Sequence, residues 1–335
     1  NYCEHRLLNR LNTDGSIDNT FYADVNILGG IVETITTQLD GKILIGGPFN
    51  QNIGGTVVKN IARLNSDGSL DLSFNTGTSF NSNVMAIVVD SSNKIFVGGF
   101  FTTFNGINIS KIVKLNSDGS IDNAFVPIPL DDFVTTISIQ QNSKIIVGGN
   151  FKISNEKYLN SCIRLNSDGS SDNTFKINTG FHYYVNPTVI IPHNNKMLIA
   201  GILKTYDNHQ TVNSIIRINS DGSLDNTFYL GGIESPNGRI TTLATQSDGK
   251  IIVGGTFTRF EGRTQNRILR LNSNGTIDNT FNIGTGFNEE VHHVVVQPDG
   301  KILVGGSFSQ YQGNYVRSLV RLNSNGSLDN SFSAV

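Results

Sequence analysis

The chain has 335 residues, with 25 Lys and Arg against 27 Asp and Glu, and charged side chains make up only 16% of it. That balance excludes a general nucleic-acid or membrane-surface binder, which needs an excess of basic residues. No apolar run approaches the roughly 18 residues of a membrane helix, so no membrane insertion is expected. The two cysteines, Cys3 and Cys162, are too few for a disulfide scaffold and occupy different places in different repeats, so they are not expected to pair. The sequence opens at Asn1 without a signal peptide, and any targeting segment is expected outside it.

The first segment with strand character is "HRLLNRLNTDGSIDNTF", residues 5–21, which supplies two strand candidates, c and d, on either side of an Asp-Gly turn. Six fuller units follow, each with four. In the last of them, strand a is "HHVVVQ", b is "KILVGG", c is "SLVRLN" and d is "SLDNSF". The R-L-N signal and its variants place an Asn at Asn12, Asn65, Asn116, Asn166, Asn219, Asn272 and Asn323, 50 to 53 residues apart. A second signal, at the head of strand b, places a Lys at Lys42, Lys94, Lys144, Lys196, Lys250 and Lys301. The strand candidates are rich in Val, Ile, Leu and Phe and are bounded by Asp-Gly, Asn-Gly or Gly-Gly; no stretch keeps helical spacing.

A tandem four-stranded unit of this length predicts an all-β propeller of antiparallel blades, with a β-solenoid as the alternative. The chain reads as one domain over 1–335: a half unit over 1–25, then six repeats. Seven blade positions are favoured, the first incomplete in this chain, and a six-bladed ring with a spare hairpin is the other arrangement.

The segments "DGSLDNTF", "SDGKIIVGGTF" and "RLNSNGTIDNTF" also resemble the delta-60 repeats of large bacterial secreted and surface proteins. The likeness covers essentially the whole chain. It implies a propeller, and a scaffold more than an activity.

The repeated turn, "RLNSDGSLD" at residues 63–71, poses a chemical choice. Its Asn65, Asp67, Gly68 and Asp71 resemble an acidic calcium loop. The first ligand position of such a loop, however, is a cation in every copy: Arg10, Arg63, Lys114, Arg164, Arg217, Arg270 and Arg321. A fixed positive charge there opposes a hard dication. A three-residue hairpin loop with Gly in the left-handed region explains the motif instead. Across it Arg63 faces Asp71, and likewise Lys114 faces Asp122, Arg164 Asp172, Arg217 Asp225, Arg270 Asp278 and Arg321 Asp329. No cofactor is therefore expected, with a calcium-stabilised adhesion module as a lesser reading.

Alternating strand direction puts the a–b and c–d turns on one face and the variable b–c and d–a loops on the other. Recurring residues of those loops, Phe101/Phe104/Gly106, Phe257/Phe260/Gly262 and Phe308/Tyr311/Gly313, are expected to pack the blades. Non-recurring residues are the binding candidates: Phe181, His182, Tyr183 and Tyr184; Glu289, Glu290 and His292, beside His293; and Asp131, Asp132 and Phe133. Aromatic rings beside carboxylates suit stacking on, and hydrogen bonding to, a sugar. His292 and His293, adjacent on a strand, are expected to point to opposite faces and not to share a metal.

No nucleophile elbow, zinc-protease, phosphate-loop or Cys-x-x-Cys motif occurs. The expectation is a non-catalytic extracellular, cell-surface or virion-surface module of a larger assembly, partnered by a glycan or a surface protein. A polysaccharide-active lyase or hydrolase using Glu289, Glu290 or Asp131 is the alternative from another class.

Overall fold

The computed structural model describes residues 8–23, 30–53, 56–140, 142–151, 162–175, 181–182, 187–193, 196–201, 205–206, 214–229 and 238–334. All regular elements among them are strands. Each repeat forms a three-stranded antiparallel sheet in the order a-b-c. In repeat 2 these strands are Val84–Val89, Ile95–Gly99 and Ile112–Leu115; in repeat 6 they are Val291–Val296, Ile302–Gly306 and Leu319–Leu322.

The predicted fourth strand survives only as a single bridge per copy, such as Leu64 to Leu70 or Leu322 to Leu328. The Asp that follows ends it. Asp71 Oδ1 accepts the Ser73 amide at 3.0 Å and its hydroxyl at 2.6 Å, an Asx turn that bends the chain out of the ladder.

The chain forms two compact units, one holding repeats 1 to 3 with Arg10 and Asp18, the other repeats 4 to 6 with Leu11–Ile17. Within each, a repeat buries its face against the next. In the first unit Ala86, Phe96 and Ile112 of repeat 2 share a core with Val134, Ile137, Ile145 and Ile163 of repeat 3. In the second, Ile252 and Ile268 of repeat 5 pack on Val291, Val294 and Val304 of repeat 6. The first Gly of the strand-b pair permits this approach: a Cβ on Gly98 would collide with Val134, and one on Gly254 with Val291.

The recurring turn has the expected bulged geometry. Asn65 N donates to Ser69 O at 2.8 Å, Gly68 N to Asn65 O at 2.9 Å, and Gly68 sits at φ +93°. Across its base Arg63 Nε donates to Asp71 Oδ2 at 2.7 Å, with both side chains buried. The same contact is 2.7 Å for Arg164–Asp172, 2.5 Å for Arg217–Asp225, 2.8 Å for Arg270–Asp278 and 2.6 Å for Arg321–Asp329; Lys114 reaches Asp122 only at 3.8 Å.

Two further contacts complete the network. The strand-b Lys adds a second cation to each Asp, as with Lys42 on Asp71 at 2.7 Å and Lys250 on Asp278 at 2.9 Å. The Arg then reaches the neighbouring repeat. Arg270 Nη1 donates to Ser324 O and Arg217 Nη1 to Ser273 O, both at 2.5 Å, while Arg63 Nη1 reaches Ser117 O. Its guanidinium also lies over the Phe that closes the turn, 4.6 Å from the Phe74 ring for Arg63 and 4.8 Å from Phe281 for Arg270.

Burial alone would raise the Asp71 carboxyl, but Lys42, Ser73 and Arg63 outweigh it and hold it far below the usual carboxylate range. With Oδ2 on two cations and Oδ1 on an amide and a hydroxyl, this carboxylate has no lone pair left for an ion. Asp67 Oδ1 is likewise occupied by the Ser69 amide and hydroxyl. The turn residues do not fit calcium.

Three outcomes follow for stability. Arg270→Met strands a buried carboxylate and lowers the unfolding free energy by about 3 kcal/mol in chemical denaturation, whereas the same change at half-exposed Arg10 has a much smaller effect. Neither calcium nor EDTA shifts the melting temperature. The third concerns His193, which stands where repeats 1, 3, 5 and 6 have Gln38, Gln140, Gln246 and Gln297. Its Nε2 lies 2.8 Å from Gly249 O and its Nδ1 3.3 Å from Arg217 Nη1. Burial first, then the Arg217 charge, lowers its pKa against the opposing Gly249 bond. The unfolded chain therefore binds the extra proton first, and stability drops as pH falls below about 6.5. In thermal melts, His193→Gln gains on the wild type progressively from about pH 7 to pH 5.

Candidate functional site

In both units the tight turns line one edge of the sheets, and their charges are spent on the Asp, Arg and Lys network. The chemistry left to present lies on the opposite, loop edge. There the recurring aromatics are plugs: Phe101, Phe104, Phe257, Phe260 and Tyr311 are all fully buried. Short hairpins carry them, for example Thr103–Phe104 with Ile107–Asn108, turned by Asn105 at φ +51° and Gly106 at φ +76°. That left-handed pair is the two-residue turn an Asn-Gly favours. Phe80 stacks into the same plug, 4.6 Å from Phe104.

Of the sequence-selected residues, Phe133 is the one the fold places in a defined surface feature. It immediately precedes strand a of repeat 3, Val134–Ile139, and its ring stacks on Phe100 of repeat 2 with centroids 4.3 Å apart and planes 25° from parallel. Phe100 is 39% exposed although its chain neighbour Phe101 is fully buried. Around this pair, Asp132 Oδ2 accepts Asn150 Nδ2 at 2.8 Å, and Asp132 Oδ1 accepts the Phe133 amide at 2.8 Å. Lys111 Nζ donates to Phe100 O at 3.2 Å, and Asp131 is exposed beside them. Two stacked rings with one outer face to solvent, bordered by carboxylates, an amide and an ammonium, form an amphipathic platform.

The other candidates are distributed. Glu289 is exposed and Glu290 half-buried, Glu290 O accepting the Ser307 amide at 2.9 Å. His292 Nε2 meets Ser307 Oγ at 2.8 Å. The strand does not alternate simply there, because a bulge between Val291 and His293 makes His292 the extra residue. Phe181 and His182 form a short strand paired with Thr205–Tyr206; their side chains, with Tyr183 and Tyr184, lie outside the described residues. Cys3 does too, while Cys162 is a free, buried thiol whose pKa burial pushes up to about 12. Among the described residues, no three His, Cys, Asp or Glu side chains gather in a metal-binding set.

Sequence reasoning missed Phe100, Lys111 and the Asp partners of the strand-b lysines. Phe100 was legible in principle: Phe101 recurs in phase with Phe49, Phe151, Phe257 and Phe308, whereas Phe100 does not recur.

No curated protein sequence matches the chain. Among solved structures it is similar to the virginiamycin B lyase of Staphylococcus aureus, at 18% identity and a TM-score of 0.54, covering 96% of this chain and 86% of that one. A catalytically inactive form of that lyase with quinupristin matches at 19% and 0.53, over 91% of this chain and 85% of that one. A streptogramin B lyase matches at 14% and 0.48, over 89% and 81%. Identities this low speak for the fold alone. A family profile described as a β-propeller domain of unknown function, DUF5122, matches seven times, at residues 6–21, 38–74, 91–125, 140–175, 194–228, 246–281 and 297–332. Six matches in phase with the six a-b-c sheets and a seventh on the half unit agree with seven blade positions, and the chain belongs to this β-propeller repeat family.

Proposed function

We propose that the protein is a non-catalytic binding module displayed outside the cell, as part of a larger surface protein or virion appendage, and that its ligand is a glycan. The exposed Phe100–Phe133 stack on the loop edge carries this reading. An aromatic face in water attracts the apolar C–H face of a sugar ring, while flanking carboxylates and amides hydrogen-bond its hydroxyls. Asp131, the Asp132–Asn150 pair and Lys111 supply those groups at the border of the rings. The resemblance of "SDGKIIVGGTF" and its relatives to delta-60 repeats supports a surface location and a display role. The lyase-like neighbours share the fold, and their chemistry does not come with it.

A glycan array with the wild type is expected to give specific binding. Phe133→Ala weakens it by about tenfold, the worth of one stacking ring, and leaves the melting temperature nearly unchanged. Capture of a protein with no glycan bound would transfer the platform to a protein ligand. Product release from an acidic polysaccharide would overturn the non-catalytic reading.

A further inference from the structure

The packing rule that joins neighbouring repeats within each unit is not met on the outer face of repeat 6. In repeats 1, 2, 4 and 5 the strand-b residue facing the following repeat is Leu44, Phe96, Leu198 or Ile252, each at most 2% exposed. The strand-c residue on that face is Ile61, Ile112, Ile215 or Ile268, again at most 2% exposed. Their equivalents in repeat 6, Leu303 and Leu319, are only half-buried. In strand a, Val295 is 56% exposed, and His293 is exposed where Ala86 and Thr242 are 7% exposed.

The glycine seats show the same break. A Cβ on Gly46 would strike Val84, on Gly98 Val134 and on Gly254 Val291, in each case the valine that opens strand a of the following repeat. A Cβ on Gly305 would meet nothing nearer than Leu319 Cδ1 and Ser318 O, both at 3.9 Å within its own repeat. A groove beside it widens in step. Lined by Val316, Leu319, Val320, Leu328 and Phe332, it holds about 560 Å³, against about 100 Å³ at the equivalent positions of repeat 1.

The outer half of a following repeat is nevertheless present. Arg321 Nη1 donates to Thr13 O at 2.6 Å, as Arg270 does to Ser324 O. The Ser333 amide donates to Asp14 O at 2.8 Å, as the Asn282 amide does to Asn325 O. Leu11–Ile17 therefore occupies the c–d place next to repeat 6, and the first family match, residues 6–21, likewise spans only that half. Among the described residues, no strand pair of a–b type covers this face.

We propose that the His293, Val295, Leu303, Gly305 and Leu319 face is a docking site for a β-hairpin of this repeat family that is not part of residues 1–335. Its first strand opens with Val or Ile, which seats on Gly305, and its second ends in Gly-Gly. The occupant is specified by the seat: a glycine kept at 305, apolar side chains at 295, 303 and 319, and an outer half already docked.

The test uses the whole chain and, as probe, a synthetic hairpin of residues 82–101 of this protein, "SNVMAIVVDSSNKIFVGGFF", with a scrambled peptide as control. The hairpin is expected to bind saturably, raise the melting temperature, and slow amide exchange around Val295 and Gly305. Gly305→Leu fills the seat from within. Gly305 is not among the positive-φ residues and has open space beside it, so the variant is expected to fold with an unchanged melting temperature while binding falls by more than about tenfold, as overpacking a seat does. In the first unit Gly98→Leu serves as contrast and is destabilising, because Val134 already holds that seat. Equal binding by the wild type and Gly305→Leu, equal binding of the scrambled peptide, or no binding at all overturns the proposal. So does a self-associated chain that Gly305→Leu converts to monomer, which would assign the face to a second copy. Glycan binding at Phe100 and Phe133 is read independently of each of these outcomes.

Discussion

A carboxylate taken out of water at the base of each turn sets the terms for the rest of the structure. Asp71 and its counterparts Asp172, Asp225, Asp278 and Asp329 lie at 3–7% exposure. Removing an ionised carboxylate from water costs several kcal/mol unless its lone pairs are filled. The repeat fills them from three places in the sequence: the Arg eight residues before, the Ser or Thr two residues after, and the strand-b Lys 28 or 29 residues before. Each donor carries a structural consequence. The Ser or Thr bends the chain and ends the fourth strand, the Lys ties the turn to the middle of the sheet, and the Arg extends past its own repeat to a carbonyl of the next.

That last reach depends on the shape of guanidinium. One nitrogen holds the carboxylate, another the neighbouring carbonyl, and the flat face covers the turn-closing phenyl, so one side chain links a turn, a ring and the adjacent repeat. Repeat 2 shows what a point charge does in its place. Lys114 stands 3.8 Å from both Asp122 and Asp90 and 5.0 Å from the Phe96 ring. A compact ammonium cannot fork, and Asp90, standing where other repeats carry Gln or His, supplies it with a second carboxylate. The backbone contact between neighbours, Val126 N to Asp168 O at 2.7 Å, remains.

Much of this was written in local spacing. The count of residues across the turn fixed which side chains face each other, because a hairpin pairs positions at constant sum, and a cation in every first position argued against an ion. The strand-b lysines recurred just as faithfully, yet their partner lies too far along the chain for a turn rule to name. The fourth strand was overestimated because "SLDNSF" has strand composition, and the Asx turn that breaks it depends on a carboxylate orientation that composition does not carry. At the candidate site Phe133 was legible as a non-recurring aromatic, whereas Phe100 was hidden by Phe101: two adjacent rings read as one plug, and the bend just past strand b leaves one exposed and the other buried. At the histidine pair a bulge shifts the register by one residue, and nothing in the local sequence marks it.

The variability of the loop edge has its own regularity, and it explains how a fold so uniform presents a particular chemistry. The amide of the residue after the Gly-Gly pair donates to the carbonyl of the residue before strand a in four repeats: Phe100 to Asn83, Asn150 to Phe133, Thr256 to Arg239 and Ser307 to Glu290, at 2.9 to 3.0 Å. The backbone at these eight positions is the same in each repeat, and the side chains are not. One pair gives phenyl and amide, another amide and phenyl, another hydroxyl and guanidinium, another hydroxyl and carboxylate. Because this hydrogen bond uses main chain only, it tolerates different side chains, in contrast to the turn edge, where the Asp, Arg and Lys side chains themselves carry the network. The stack of Phe100 on Phe133 arises where two consecutive repeats both carry a ring at these free positions, so the platform is a consequence of register between neighbours and not of any special loop.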